Sequence, residues 1–245
     1  MNDFIFGIRT ILEAIRAKKE IDKILLSDKL SGELAAELFR EIRANNIPTQ
    51  NVPIEKINKI TTKNHQGVVA YISPLKYFEI EEIINNLSEQ NKNPFFVILD
   101  GITDVRNFGA IARTCECAGV NAIILPKHGS VRITEDAIKC SAGALFNIPV
   151  CRVDNLTDTV LLFKQYDIQI VAATEKSTKQ IYDCDFKKAT AIVLGSEDLG
   201  ISKQLLKNSD EQIKIPLFGK TKSLNVSVST AIVVYELVRQ RNNIL

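Results

Sequence analysis

Histidine is scarce in this chain of 245 residues, which carries only His65 and His128, and no Cys-x-x-Cys pair occurs. Structural metals are held by His and Cys clustered at short, repeated spacings, so no metal site is expected. The five cysteines are odd in number and scattered, and Cys115 and Cys117 lie two apart on a helical stretch, where they point to different faces. That pattern is no disulfide framework, and thiols in a reducing cytoplasm account for it. No run approaches the about 18 apolar residues of a membrane-spanning helix, and Met1 to Gly7 show no basic segment followed by an apolar one. The expectation is a soluble, cytoplasmic protein with no membrane partner.

Charge of one sign is missing too, since 31 Lys and Arg stand against 29 Asp and Glu, a net charge of +2. A nucleic-acid footprint therefore has to be sought in local clusters. Candidates are Arg16 to Lys19, Lys127 to Arg132, and Lys214 with Lys220 and Lys222. Glycine-rich phosphate loops are absent as well. No Gly-x-Gly-x-x-Gly follows an apolar strand, and although Gly195 and Gly200 have P-loop spacing, Ile201-Ser202 stands where Lys-Ser/Thr is required. A Rossmann dehydrogenase and a P-loop NTPase are both disfavoured.

What is present is 45% hydrophobic and 24% charged residues, enough for one large or two modest cores. Residues 1–73 alternate helix-like and strand-like segments: apolar positions 8, 11, 12 and 15 within Phe6 to Arg16, a short strand at Lys23–Leu26, an amphipathic helix over Gly32–Ala44 and a strand at Gly67–Ile72. This predicts a small α/β domain. Residues 74–93, with Pro74, acidic Glu79 to Glu82 and polar Asn85 to Asn93, read as a linker holding one short helix. From Pro94 a second rhythm sets in. Apolar strands at Phe95–Leu99, Ala122–Leu125, Pro149–Val153, Gln169–Ala173 and Ala191–Leu194 alternate with helical stretches, which predicts a mostly parallel sheet covered on both faces over residues 94–245.

Three segments carry candidate chemistry. Asp100-Gly-Ile-Thr-Asp-Val-Arg-Asn107 follows the first of these strands, and Arg113 stands six residues beyond Asn107 on the next helix. Gly195-Ser-Glu-Asp-Leu-Gly200 follows another strand, and Ile215-Pro-Leu-Phe-Gly-Lys-Thr-Lys-Ser-Leu-Asn-Val-Ser227 precedes the last helix. In open parallel sheets ligands sit at the carboxyl ends of strands, and all three segments fall there, the last after an expected strand at Ile213–Ile215. Ser223, Asn225, Ser227 and Ser229 put uncharged polar groups at a helix start, where free backbone N–H groups can be capped or can hold a ligand.

In this order and at these separations the segments, with Ser-Leu-Asn-Val-Ser intact, resemble the three signature motifs of the SPOUT-superfamily RNA 2′-O-ribose methyltransferases, in the TrmH/RlmB branch. The resemblance covers about residues 94–241. Phe6 to Ile15 and His65-Gln-Gly-Val-Val-Ala70 are similar to the small ribosomal-protein-like RNA-binding domain of the RlmB type, which methylates a guanosine of large-subunit ribosomal RNA. Two positions depart from the family pattern: Val105 where Pro is frequent, and Asp198 where Gly often follows the Glu.

The resemblance implies an α/β trefoil-knot fold for the C-terminal domain, S-adenosylmethionine as cofactor, RNA as partner and a homodimer paired through the closing helix, Ser227 to Arg239. It implies that Gly195, Ile215 and Leu224 hold the cofactor, although residue type alone gives Ile215 and Leu224 to plain core packing. Asn107 would fix the first loop, Ser223 and Asn225 would orient the substrate or the Arg, and Glu197 would pair with Arg113 or with the incoming nucleotide. Arg113 would carry catalysis. A guanidinium keeps its proton beyond about pH 12, so an electrostatic role is physically cheaper than a general-base role. A transfer-RNA or resistance-type ribosomal RNA methyltransferase, and a catalytically idle RNA-binding assembly factor, are the competing expectations.

Overall fold

The computed structural model describes residues 4–242, so the outermost ends of the expected domains, 1–3 and 243–245, lie outside it. The chain divides into two compact units, residues 1–76 and 77–245.

The first unit runs β1 (Phe4–Phe6), α1 (Ile8–Arg16), β2 (Ile21–Ser27), α2 (Glu33–Ala44), β3 (Thr49–Val52), α3 (Ile54–Asn58) and β4 (Val68–Ile72). Its sheet has the order β1-β4-β2-β3, with β2 and β3 parallel and the other pairs antiparallel. Alternation along the central strands serves two layers. Ile24, Leu26, Val68 and Ala70 pack under Ile11, Leu12 and Leu38 of the helices, whereas Leu25 and Val69 pack with Val52, Ile57 and the half-buried Phe4, Phe6 and Tyr71. The helix-like segment expected from Phe6 is split by Gly7 at φ +86°, so Phe6 ends a strand and the helix begins at Ile8. The His65-Gln66-Gly67 stretch is a structural clasp. Gln66 accepts the Ile8 N–H at 3.1 Å and so caps α1, while His65 accepts from the Gly67 N–H at 3.0 Å and pairs with Asn58 at 2.8 Å.

The second unit continues with α4 (Ile80–Glu89), β5 (Phe95–Asp100), α5 (Val105–Cys117), β6 (Ala122–Pro126), α6 (Glu135–Cys140), β7 (Val150–Val153), α7 (Leu156–Gln165), β8 (Gln169–Ala173), β9 (Thr190–Gly195), α8 (Lys203–Asn208), β10 (Glu211–Ile213) and α9 (Val226–Arg241). Its sheet, β10-β8-β9-β5-β6-β7, is parallel throughout. The strands are apolar on both sides because helices cover both. On one face Ile80, Ile84 and Leu87 of α4, Val160 and Phe163 of α7 and Leu205 of α8 pack on Phe96, Ile98, Ile124, Ile170 and Val193, with the Phe96 and Phe163 rings stacked at 4.8 Å. On the other, α5 packs against α6 and α9.

Two expectations are corrected here. The stretch read as a linker, 74–93, contains α4, whose buried isoleucines complete the core of the second unit, so from residue 77 onward it is folded domain. The expected strand at Ile213–Ile215 ends at Ile213: Lys214 makes only an isolated bridge to Gln180, and Ile215 stands in the loop before Pro216, which has no N–H to continue a ladder.

The strand order sets the site. From β5 the chain leaves through α5 toward β6, whereas from the adjacent β9 it leaves through α8 toward β10 on the opposite edge. Connections diverging from neighbouring parallel strands open a crevice at their carboxyl ends. Asp100 and Gly195, paired in register as the last residues of β5 and β9, mark it. Helix α9 is fixed at its far end by Arg241, whose guanidinium donates to the carbonyls of Phe186 at 3.0 Å, Asn93 at 2.9 Å, Pro94 at 2.9 Å and Lys188 at 2.6 Å, over the Phe95 ring. Burial lowers its pKa to about 10. The clamp at one end of α9 positions its start, Asn225, at the crevice.

Candidate active site

The first loop is set by Asp104, the N-cap of α5, whose carboxylate accepts the Asn107 N–H at 2.7 Å. Val105 is therefore the first helical residue, a position that favours Pro without requiring it, because no intrahelical bond needs its N–H. The second loop turns tightly: the Gly200 N–H donates to the Ser196 carbonyl at 2.8 Å and the Leu199 N–H to Ser196 Oγ at 3.2 Å. Gly200 takes the positive φ of +67°, and Asp198 is not among the positive-φ residues, so the second departure from the family pattern carries no strain. Gly195 serves this turn. A Cβ there would lie 2.1 Å from the Gly200 carbonyl carbon and 2.3 Å from its oxygen, against about 3.5–4.0 Å for carbon atoms in contact.

Glu197 is where the three segments meet. Its Oε1 accepts from Asn225 Nδ2 at 2.5 Å, from the Val226 N–H at 3.3 Å and, more weakly, from Asn107 Nδ2 at 3.4 Å, while Asn225 Nδ2 also donates to Asn107 Oδ1 at 3.0 Å. Asn225 is the N-cap of α9, its Oδ1 accepting from the Ser227 N–H at 2.9 Å and from the Ser227 hydroxyl. A carboxylate at the positive end of a 16-residue helix is favourably placed. Asp100 adds a further tie, accepting the Ser202 N–H at 2.7 Å and joining the first loop to the end of the second.

The second and third loops wall a cavity of about 380 Å³, within the roughly 300–1,000 Å³ of small-molecule clefts. Gly195, Ile215, Leu217 and Leu224 give it apolar wall, and Ser196, Glu197, Ser223 and Ser229 line it with polar groups. Thr174, Glu175 and Lys176 line it as well and were not foreseen. They belong to no motif, but they directly follow β8, and position at the carboxyl end of a parallel strand was the signal available.

Of the expected site residues, Asn107, Glu197 and Asn225 form one hydrogen-bonded cluster, and Gly195, Ile215, Ser223 and Leu224 line the cavity beside Glu197. The expected pairing of Glu197 with Arg113 does not occur, because the carboxylate is taken up by the two asparagines and the start of α9. Arg113 lies roughly 9 Å farther along α5 than Asn107 and about 120° around it. It is exposed, does not line the cavity and makes no hydrogen bond or ion pair among the described residues. Among those residues no group of three His, Cys, Asp or Glu could hold a metal ion, and no helix is long and apolar enough to cross a membrane.

Parallel strands meeting at a switch point, with three loops tied together beside one cleft, define the class of open α/β folds that bind ligands at the carboxyl edge of the sheet. Residues 94–235 match the SpoU rRNA Methylase family, and residues 4–78 match the RNA 2′-O ribose methyltransferase substrate binding family. The chain belongs to the SpoU/TrmH family of RNA methyltransferases. It is 32% identical to YacO of Bacillus subtilis, placed in the TrmH family of tRNA/rRNA methyltransferases, over 98% of this chain and 97% of that protein. A TrmH-family relative from Staphylococcus saprophyticus is 36% identical over 98% and 96%. Among solved structures, the SpoU methyltransferase AviRb from Streptomyces viridochromogenes, in complex with AdoMet, shares the fold at a TM-score of 0.62 and 23% identity over 98% of this chain and 90% of that one. The A. aeolicus TrmH/SpoU tRNA modifying enzyme is 31% identical, with a TM-score of 0.57, over 66% of this chain and 84% of that one.

Proposed function

We propose that the protein transfers the methyl group of S-adenosylmethionine to a ribose 2′-hydroxyl of RNA, on a guanosine of large-subunit ribosomal RNA. The observation that carries this reading is that the three family motifs meet at Glu197, which binds Asn107 and Asn225 and lines the cavity walled by the second and third of them. The residues present suit the cofactor: Ile215, Leu217 and Leu224 offer apolar wall to a purine, and Thr174, Ser196, Ser223 and Ser229 offer hydroxyls to its polar parts. S-adenosylmethionine supplies an activated methyl group on a sulfonium. Glu197, Asn107 and Asn225 hold the loops rigid, so that alignment is set before the RNA arrives and orientation contributes to rate. Arg113, which no side chain among the described residues engages, is assigned the phosphate beside the reactive ribose and the negative charge that develops on the 2′-oxygen. The knotted threading of this family belongs to the same reading, with Ile215, Leu217 and Leu224 of the third segment against the adenine.

Transfer RNA is the competing substrate, since the relatives' names span both RNAs and the A. aeolicus structure is named for tRNA. Mapping ribose methylation in ribosomal and transfer RNA from cells with and without this protein decides between them. A missing methyl on a tRNA alone would refute the ribosomal reading. Failure to bind S-adenosylmethionine in calorimetry would favour an idle assembly factor.

The homodimer belongs to this proposal. Helix α9 buries Val226, Val233, Val234 and Leu237, yet leaves Val228 and Tyr235, seven residues apart on another face, about half exposed. A helix apolar on two faces fits a second copy, and a sedimenting monomer at micromolar concentration would refute it.

Division of labour gives a further expected result. Residues 77–245 should bind S-adenosylmethionine as the whole chain does and lose most RNA affinity, whereas a fragment starting at 94 should be destabilised, because it lacks Ile80, Ile84 and Leu87 over Phe96 and Ile98. Burial of three such side chains is worth about 1.5–3 kcal/mol each. Thermal melting and RNA binding of the two fragments check this.

A further inference from the structure

The two most exposed large apolar side chains among the described residues, Phe218 at 97% and Leu199 at 87%, stand on two loops that wall the same cavity. The next most exposed, Phe146, reaches only 65% and lies elsewhere. Phe218 contributes nothing to the fold. Its neighbour Leu217 lines the cavity, while Gly219 beyond it has no other atom within 4 Å of where a side chain would begin, so this part of the loop stands clear of the body. Lys220 and Lys222 follow, and neither has a hydrogen bond or ion pair among the described residues.

We infer that Phe218 is a substrate-binding residue that stacks on a nucleobase at the mouth of the site, that of the nucleotide being methylated or its immediate neighbour. This rests on the proposed RNA methyltransferase activity. An aromatic ring held in water beside unpaired cations matches single-stranded nucleic acid, whose bases offer flat faces and whose phosphates offer charge. Leu199, on the other loop, supplies apolar surface across the mouth. A second copy of the chain is a poorer occupant, because lysines are depleted in the buried centres of protein interfaces.

The chain has no tryptophan, so Phe218→Trp places the sole tryptophan, excitable apart from the five tyrosines, at the point in question and keeps a ring that can stack. The probe is total RNA from cells lacking this protein, separated into ribosomal and transfer fractions. The emission of Phe218→Trp should be quenched by the fraction that the wild type methylates. Phe218→Ala should raise the KM for that RNA roughly 5- to 140-fold, the equivalent of the about 1–3 kcal/mol of one stacked base, with kcat, cofactor affinity and sedimentation nearly unchanged. An unchanged KM, or emission indifferent to the methylated RNA, would overturn the assignment. So would dissociation of a dimer by Phe218→Ala, which would give the ring to a second copy. If the wild type methylates neither fraction, the proposed function itself fails and this inference falls with it.

Discussion

Gly195→Ala should collapse the proposed cofactor site and lower the melting temperature by about 2–12 °C, the equivalent of the about 1–3 kcal/mol that overpacking costs in a domain of this size. The added Cβ would sit 2.1 Å from backbone, not from a side-chain tip that could swing away, so the turn of residues 196–200 has to move as a unit. That turn carries Glu197, and displacing it breaks the hydrogen bonds that hold Asn107 and Asn225 together. S-adenosylmethionine affinity should fall with stability. Gly219→Ala is the matched control: its Cβ meets nothing within 4 Å, and its melting temperature should stay within the change of about 0.5 kcal/mol usual for surface sites. Calorimetric titration and thermal melts of both variants test the pair. Normal cofactor binding by Gly195→Ala would show that the turn can relax without deforming the cavity.

The parallel sheet was legible because strands buried on both faces have to be apolar throughout. The five stretches read as strands, from Phe95–Leu99 to Ala191–Leu194, lie within about one residue of the observed ones. What stayed hidden was short or long-range. Strand β3 exposes three of its four residues and α3 has only five, so neither carries a pattern long enough to read. Helix α4 was expected only as one short helix within a linker: Ile80, Ile83, Ile84 and Leu87 do stand at helical spacing, but the acidic and polar residues around them gave no sign that this stripe closes the core of the second unit. At the site, the motifs located the loops but not the bonds. Glu197 finds Asn107 at a separation of 90 residues and Asn225 at 28, and no local rule favours those partners over Arg113. Gly195 was expected to hold the cofactor; it lines the cavity, and the reason a glycine is needed there, Gly200 filling the space that a side chain would take, is a contact within the turn that only the structure shows. Exposed Phe218 is silent in sequence, since a Phe beside Leu and Pro reads as core.

Arg113→Ala should lower methyl transfer by roughly 10²–10³-fold, the usual cost of losing one group that stabilises developing charge, and leave S-adenosylmethionine affinity nearly intact. Cofactor binding should survive because Arg113 neither lines the cavity nor bonds to Glu197, Asn107 or Asn225. Lysine separates the two chemical roles open to this position. An ammonium in water loses its proton near about pH 10.4, whereas a guanidinium holds it beyond about pH 12. If residue 113 had to accept the 2′-hydroxyl proton, Arg113→Lys would recover activity steeply with rising pH and approach the wild type near about pH 10. If it anchors phosphate and stabilises negative charge, lysine keeps the charge and loses the planar fork that grips two oxygens at once. Activity should then stay low across the whole range, and that is the expected result. Methylation rates of the wild type and Arg113→Lys between neutral pH and about pH 10 give the answer, provided that melts and calorimetry show unchanged folding and cofactor affinity over the same range. Recovery at high pH would assign the proton to residue 113 and remove the electrostatic role.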